Sequence, residues 1–194
     1  MSRKIVIIQG HPDVQKEHYG HALADAYVQG ANNAGHEVRT ITIAELEFPL
    51  IHSYEDFYEQ EAPAVIKKCQ DDINWADHLV FIYPLWLGTM PAIVKGFIEQ
   101  LFRPGFAMHI SEDSKTWTKL LKGKSARVII TMGMPALAYR WFFRAHSLKS
   151  FKRNVLNFCG ISPVKDSMIG MVEGSEKHRQ HWLAKMKKLG HSGI

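Results

Sequence analysis

The sequence predicts an α/β protein in which helices cover both faces of a doubly wound parallel sheet. Five short apolar segments of strand-like composition alternate with longer segments whose apolar residues recur at helical spacing. The third of the short segments, at 79–83, is a continuous apolar run. A strand with one buried face alternates apolar and polar residues, so a continuous run indicates burial on both faces, as in parallel sheets.

The strands are expected at 4–9, 37–43, 78–83, 127–132 and 165–171. Helices are expected at 19–34 with a stop at Gly35, around 65–73, at 93–102, over 136–156 with a break, and around 182–189. The polar stretch 111–123 is expected to be a surface excursion. Since the 194 residues contain neither a repeat nor a linker, we expect a single domain spanning residues 1–194.

Composition and charge narrow the function classes. The formal net charge is +5, but the basic residues form no single stripe, which argues against nucleic-acid binding. The densest basic group, at 177–188, is expected to be the solvated face of a helix. No apolar run reaches the length of about 18 residues that a membrane span needs. Cys69 and Cys159 lack metal-binding spacing, and are expected to be buried thiols of a cytoplasmic protein.

The loops that follow the strands form the candidate site, because ligands of open parallel sheets bind beyond the carboxyl ends of the strands. The first loop begins Gly10-His11-Pro12-Asp13 and is neither GxGxxG nor a P-loop, which argues against a classical dinucleotide fold or an NTPase. Free N–H groups at the following helix would still suit a phosphate. His11 is interpreted either as a further donor or as an ordinary turn residue.

The second and third loops would suit a flat aromatic ligand. Residues 84–91 contain two prolines and a glycine, which indicates a rigid apolar loop, although a hydrophobic crossover turn has the same composition. In the third loop, Gly133 would let a ligand approach the backbone closely. Tyr139 and His146 follow, and each is either a hydrogen-bond donor to a ring or a structural residue.

The histidines do not predict a metal site. The 11 histidines are scattered, and although His18 and His21 are close enough to share a helix face, no third ligand is evident. The GxSxG sequence of serine hydrolases is absent as well.

Several segments, in order along the chain, resemble one known family. IYPLWLGTMPAIVKGFIEQLF at 82–102 resembles the signature region of the NAD(P)H dehydrogenase (quinone) family, the DT-diaphorase-like branch of the flavodoxin-like proteins. The bacterial members of that family are matched by FRPGFAM at 102–108, LLKGKSAR at 120–127, TMGMP at 131–135, AHSLKS at 145–150 and FCGI at 158–161. The resemblance covers nearly the whole chain.

The resemblance implies a fold and an activity. The fold would be a flavodoxin-like doubly wound sheet of five parallel strands in the order 2-1-3-4-5. The protein would be a homodimer that binds FAD or FMN non-covalently. NAD(P)H would reduce this flavin in a ping-pong cycle, before a quinone or similar aromatic acceptor takes the place of NAD(P)H.

The resemblance also implies roles for individual residues. The flavin phosphate end would be held by His11, His18, Tyr19 and Gly20. The ring would be held by Pro84, Leu85, Trp86, Leu87, Gly88, Thr131, Met132 and Gly133. Tyr139, beside the flavin, and His146 would be the catalytic residues. The acceptor pocket would be lined by Trp86, Phe106 and Met108.

Two departures from the family pattern affect these expectations. The usual Ser-Phe-Asn after the first loop is His18-Tyr19-Gly20 here, which removes a hydroxyl and an amide that would contact phosphate and leaves FMN and FAD both open. Leu87 stands where bacterial members often have a second tryptophan, which makes the pocket less aromatic.

Two other functions remain as alternatives to a quinone reductase. One is an ancillary subunit with the same fold, similar to the quinone-reductase-like partners of potassium efflux systems, which would bind a transporter. The other is a flavodoxin-type electron carrier, although such carriers are typically acidic and this chain is basic.

Overall fold

The computed structural model describes residues 2–111 and 116–194. The described residues form seven strands: β1 (Lys4–Gln9), β2 (Glu37–Thr42), β3 (His78–Pro84), β4 (Met108–Ile110), β5 (Trp117–Lys119), β6 (Ser125–Thr131) and β7 (Val164–Ile169). Five of them form a parallel sheet in the order β2-β1-β3-β6-β7. The predicted order 2-1-3-4-5 is confirmed, since β6 and β7 are the predicted fourth and fifth strands.

The two remaining strands lie at the surface excursion predicted for 111–123: β5 falls within it, and β4 directly precedes it. Strands β4 and β5 pair antiparallel as a separate two-stranded sheet. The side chains of β5 are exposed, as a polar stretch requires, whereas Leu121 just beyond it is buried. Part of the excursion, residues 112–115, lies outside the described residues.

Helices connect the strands and follow the last one. They are α1 (Tyr19–Asn33), α2 (Tyr54–Tyr58), α3 (Ala64–Trp75), α4 (Ala92–Leu101), α5 (Ala136–Trp141), α6 (His146–Ser150), α7 (Asn157–Cys159) and α8 (Glu176–His191), with a 3₁₀ turn at Ile43–Glu45 and a π-helical segment at Phe151–Leu156. The expected break in the helix over 136–156 lies at Arg144 and Ala145, whose φ angles are +54° and +46°. These left-handed residues separate α5 from α6.

The sheet is buried on both faces, as the continuous apolar runs predict. In β1, Val6 and Ile8 belong to one hydrophobic cluster, while Ile5 and Ile7 belong to a second. The second cluster contains buried residues of α1 and α8, and the first contains residues of α3 and α4. Successive side chains of a strand point to opposite faces, so each strand contributes to both layers.

The two cysteines have the environment that the composition predicts. Cys69 and Cys159 are free and buried. Burial raises the pKa of Cys69 to about 11 and that of Cys159 to about 12, so both thiols stay protonated and unreactive at neutral pH.

Among the described residues, no helix is long and apolar enough to cross a membrane.

Two glycines allow α1 and α8 to pack closely together. A Cβ atom on Gly30 would lie 2.0 Å from the carbonyl oxygen of Lys187, and one on Gly190 would lie 2.0 Å from that of Tyr27. Each glycine therefore faces the backbone of the opposite helix, and a side chain at either position would force the helices apart.

A buried histidine begins the central strand β3. His78 is 2% exposed, and its Nδ1 lies 2.8 Å from the hydroxyl of Ser125 on β6. Its Nε2 is buried and has no hydrogen-bond partner among the described residues. Burial, reinforced by the charges of Arg3, Arg127 and Lys165, lowers the pKa of His78 to about 3. The imidazole is therefore neutral in the folded protein at ordinary pH.

Replacement of Gly30 by alanine is expected to destabilise the fold by about 2 kcal/mol, because the strain of overpacking exceeds the gain in helix propensity. Urea unfolding measures the change. Gln29→Ala, at the exposed neighbouring position, is the matched control and should stay close to the wild type. Equal midpoints for the two variants would show that the helices do not meet at Gly30.

His78 is expected to make the fold sensitive to mild acid. The unfolded chain takes up a proton near pH 6.5 and the folded chain only near pH 3, so the free energy of unfolding should fall by up to about 1.4 kcal/mol per pH unit between these values. In His78→Asn, which keeps a partner for Ser125, this slope should flatten between pH 6 and 4.5. Chemical denaturation across that range is the measurement, and parallel slopes would contradict the assignment.

Candidate functional site

The carboxyl ends of the central strands meet at one edge of the sheet, and backbone hydrogen bonds fix the loops there. Gly10 N–H donates to the carbonyl of Ile82 at 2.7 Å, which joins the first loop to β3. Leu85 N–H donates to the carbonyl of Thr131 at 2.7 Å, and Met132 N–H donates to that of Ile169 at 2.9 Å. The three predicted loops therefore lie side by side.

The first loop carries a cluster of three imidazoles. The rings of His11 and His18 stack with their centroids 3.8 Å apart, and His21 lies 5.5 Å from His11. Asp13 Oδ2 is 2.9 Å from Nε2 of His18. This bond lowers the pKa of Asp13, while partial burial, followed by the proximity of His18, lowers the pKa of His11. The described residues contain no group of three or more ligands that could hold a metal ion.

Gln9 fixes this loop to the start of α1. Its buried side chain donates through Nε2 to the carbonyl of Gly20 at 3.0 Å, and its Oε1 accepts from His11 N–H at 3.1 Å. Sequence reasoning missed Gln9, and it considered His21 only as a partner of His18 in a metal site. The available signal was a polar residue that ends an otherwise apolar strand.

Tyr19, unlike His11 and His18, is directed away from the loop. Its hydroxyl donates to the carbonyl of Arg179 on α8 at 2.8 Å, and burial raises the pKa of Tyr19 to about 12. Gly20 contributes its carbonyl, which accepts a hydrogen bond from the side-chain amide of Gln9. The histidines of the cluster, rather than residues 19 and 20, provide the side-chain donors here.

The second loop is a tight turn that displays two large apolar side chains. Trp86 N–H donates to the carbonyl of Thr89 at 2.9 Å, and Thr89 N–H donates back at 3.0 Å. Leu87 and Gly88 between them have φ angles of +48° and +82°, the pattern of a type I′ turn. Leu87 is fully exposed in this unfavourable conformation, which costs about 1 kcal/mol. Trp86 is 49% exposed, and its ring meets that of His11 edge-on at 6.1 Å.

The third loop presents an open backbone surface. Thr131 and Met132 are buried at the end of β6, whereas Gly133 is exposed and no atom lies within 4 Å of where its Cβ would be. Met171 N–H donates to the carbonyl of Met134 at 3.1 Å, which ties the loop to the segment after β7. A flat ligand could therefore approach Gly133 without displacing protein atoms.

Tyr139 and His146 lie at the two ends of one turn. Tyr139 is 1% exposed, and its hydroxyl is 2.6 Å from Oγ of Ser147 and accepts from Leu148 N–H at 3.3 Å. Its carbonyl accepts from Ala145 N–H at 2.9 Å. His146 is exposed, and its Nδ1 lies 2.5 Å from the carbonyl of Phe143. Because a carbonyl only accepts, Nδ1 carries a proton and Nε2 is left for a ligand.

The two remaining pocket residues lie on the segment that leads into β4. Met108 is buried within the first hydrophobic cluster, and Phe106 is half-buried and packs against that cluster. Gly105 N–H donates to the carbonyl of Met108 at 2.7 Å, which closes this segment into a turn. Pro84 and Leu85 are half-buried at the end of β3. The edge of the sheet thus brings His11, His18 and Trp86 into contact, whereas Met108 packs into the core.

Comparisons with known proteins agree with this architecture. A family described as having a flavodoxin-like fold matches residues 3–189. An uncharacterized NAD(P)H oxidoreductase of Haemophilus influenzae is 31% identical over 169 residues, which cover 85% of this chain and 82% of that protein. An FMN-dependent NADH:quinone oxidoreductase of Macrococcus caseolyticus is 24% identical over 214 residues, covering 96% of this chain and 98% of that protein.

A solved structure supports the same fold. The NAD(P)H:quinone oxidoreductase of Methanothermobacter marburgensis superposes with a TM-score of 0.86 at 23% identity, over 100% of both chains. Three findings identify the family of the protein: the sheet order, the match over residues 3–189 and the Haemophilus relative. The chain belongs to the flavodoxin-like NAD(P)H:quinone oxidoreductase family.

Proposed function

We propose that the protein is a flavin-dependent NAD(P)H:quinone oxidoreductase. The observation that carries this proposal is the arrangement at the carboxyl edge of the sheet, where a cluster of imidazoles, an exposed indole and an open glycine come from three adjacent loops. Imidazole N–H groups suit a phosphate, while an apolar surface beside open backbone suits an isoalloxazine ring. The FMN dependence of the Macrococcus relative supports the same cofactor chemistry.

The imidazole cluster would hold the phosphate end of the flavin. His18 and His21 stand at the start of α1, where the backbone N–H groups of the first turn also favour an anion. Gln9 holds His11 and Gly20 in place through its buried amide. The imidazoles would thereby replace the hydroxyl and amide donors that the chain lacks at positions 18 and 20.

The second and third loops would hold the ring. Backbone from Pro84 to Gly88 and from Thr131 to Gly133 would bound it, and Trp86 would pack beside it. A bound flavin supplies the redox chemistry, by taking a hydride from NAD(P)H and passing two electrons to the acceptor. Trp86 and Phe106 would provide apolar surface for a stacked quinone-like acceptor, while the buried Met108 would belong to the core beneath that pocket.

His146 and Tyr139 would act on the charge that develops in this site. His146 donates from Nδ1 to the carbonyl of Phe143, so Nε2 is its free ring atom and would hydrogen-bond the flavin as charge develops there. The hydroxyl of Tyr139 is engaged with Ser147 and Leu148 inside the protein. We therefore infer that Tyr139 supports catalysis by positioning the turn that carries His146.

We also propose a single-domain chain that assembles as a cytoplasmic homodimer. The two hydrophobic clusters lie on opposite faces of one sheet, which supports a single domain. Leu87, Leu137 and Phe142 are 106%, 69% and 82% exposed on segments that follow β3 and β6. Large apolar side chains exposed in this way are typical of surfaces that a second subunit covers. Free buried thiols agree with a reducing cytoplasm.

The visible spectrum before and after anaerobic NADPH tests the activity. The protein loaded with FMN or FAD should show a flavin spectrum that bleaches fully, and an added quinone should restore it. A protein that takes up neither flavin would refute the proposal and favour the alternative of an ancillary transporter subunit. A persistent one-electron band would instead indicate an electron carrier.

Gly133→Val is expected to weaken flavin binding at least about tenfold, because a branched side chain would occupy the surface that the ring needs. The open space around Gly133 means that the fold itself should tolerate valine. Fluorescence titration with FMN and FAD measures affinity, and thermal unfolding checks stability. Thr118→Val, on the exposed strand β5, is the matched control. Unchanged affinity in Gly133→Val would show that the ring does not lie over this loop.

The roles of His146 and Tyr139 are separable by stopped-flow measurement of flavin reduction. His146→Ala should slow reduction by about 10²-fold, since a hydrogen-bonding group beside the reacting ring is lost. Tyr139→Phe and Ser147→Ala should slow it by similar, smaller factors, because each breaks the same hydrogen bond. If flavin reduction is slow in Tyr139→Phe but not in Ser147→Ala, the Tyr139 hydroxyl itself acts on the flavin ring. Wild-type rates in all three variants would remove this turn from the mechanism.

A further inference from the structure

A cavity separate from the imidazole cluster lies along β7, the last strand of the sheet. Its volume is about 1140 Å³, and its walls come from α5, the left-handed turn, α6, the π-helical segment and the side chains of Asp166 and Met168 on β7. His146 lies on its wall and is also the residue proposed to act on the flavin. The cavity therefore shares the turn that carries His146 with the candidate active site.

The walls of this cavity are strongly basic. Five cationic side chains face a single carboxylate, Asp166; they are Arg140, Arg144, Lys149, Lys152 and Arg153. Asp166 is already engaged, since it pairs with Lys152 and lies 4.0 Å from Arg140. In the part of the chain that the structure describes, neither Arg144 nor Lys149 forms an ion pair. Clustered like charges destabilise a fold, so their collection around one cavity indicates an anionic ligand.

An exposed indole stands among these cations. Trp141 lines the cavity and is 75% exposed. An aromatic side chain with free faces stacks on a nucleobase. Arginine side chains bind phosphate through two parallel N–H···O bonds. Stacking surface and phosphate donors together are what an adenine nucleotide requires.

The backbone of the cavity wall is strained where it carries these groups. Arg144 and Ala145 are consecutive non-glycine residues with positive φ. Lys152, Arg153 and Asn154 lie on the π-helical segment, a conformation that is rare and recurs at functional sites. Arg144 is thus held in a backbone conformation that a non-glycine residue rarely adopts.

We propose that this cavity binds the adenosine phosphate end of NADPH, with the cationic side chains receiving the 2′-phosphate. This inference rests on the proposed reductase function and deepens it, because it makes NADPH the preferred donor over NADH. A nucleotide held here would lie beside the turn that carries His146, with its other end free to extend toward the candidate active site. The extra phosphate carries a charge of about −2, which the cations not engaged with Asp166, namely Arg144, Lys149 and Arg153, would stabilise.

Binding of adenosine 2′,5′-bisphosphate to the purified full-length protein, without added flavin, tests the site. Quenching of tryptophan fluorescence gives its affinity, and AMP and inorganic phosphate are compared. The bisphosphate should bind at least about tenfold more tightly than AMP, and phosphate alone should not displace it at equal concentration. If phosphate competes equally well, the cavity is only a diffuse anion-attracting surface and the proposal is refuted.

Matched charge variants locate the binding. Arg144→Gln combined with Lys149→Gln should weaken the bisphosphate at least about tenfold and lower the NADPH/NADH ratio of kcat/KM by a similar factor. Lys177→Gln combined with Lys188→Gln removes the same charge from exposed positions of α8 and should change neither. If the first pair fails to fold, Lys149→Gln with Arg153→Gln replaces it. Equal affinities in the cavity and control variants would refute the proposal.

Two further outcomes distinguish a failure of the nucleotide site from a failure of the proposed reductase function. A protein that binds the bisphosphate but takes up no flavin would refute the reductase function and leave the nucleotide site standing. A glutamate-rich peptide that binds and that the bisphosphate cannot displace would assign the cavity to an acidic protein partner and overturn the proposal.

Discussion

Burial of one sheet on both faces is the constraint on which the rest of this structure depends. Each strand of the centre gives alternate side chains to two separate hydrophobic clusters, so a helical layer must cover each face. The connections are then confined to the ends of the strands, where backbone hydrogen bonds join neighbouring loops. The candidate site exists because this constraint leaves only the edge of the sheet for irregular backbone and polar side chains.

The same constraint explains what the sequence could and could not reveal. Continuous apolar runs are a local property, and they identified all five strands of the sheet to within two residues at each end. The pairing of β4 with β5 was not predicted, because strands of three residues are too short to show a repeating apolar pattern. Family resemblance, rather than periodicity, provided the strand order.

The site was harder to predict, because its contacts join residues that are distant in sequence or that lie in turns. Spacing suggested a pair, His18 and His21, whereas folding adds His11 by stacking across the loop. The sequence identifies Gln9 only as the last residue of a strand. Its hydrogen bonds to His11 and Gly20 depend on where helix α1 begins. The inward direction of the Tyr139 hydroxyl follows from the left-handed turn at Arg144 and Ala145. Arginine and alanine rarely adopt this conformation, so the residue types do not predict the turn.

The glycine contact between α1 and α8 has a consequence for how this protein tolerates change. Helix α1 begins beside the imidazole cluster, and Gly30, where its backbone packs closest against α8, lies about 15 Å further along its axis. A helix of this length moves as a rigid body, so any change of spacing at that contact is transmitted to His18 and His21. Under the proposed function, in which the imidazole cluster holds the flavin phosphate, cofactor affinity and resistance to unfolding are therefore coupled through one residue remote from the ligand.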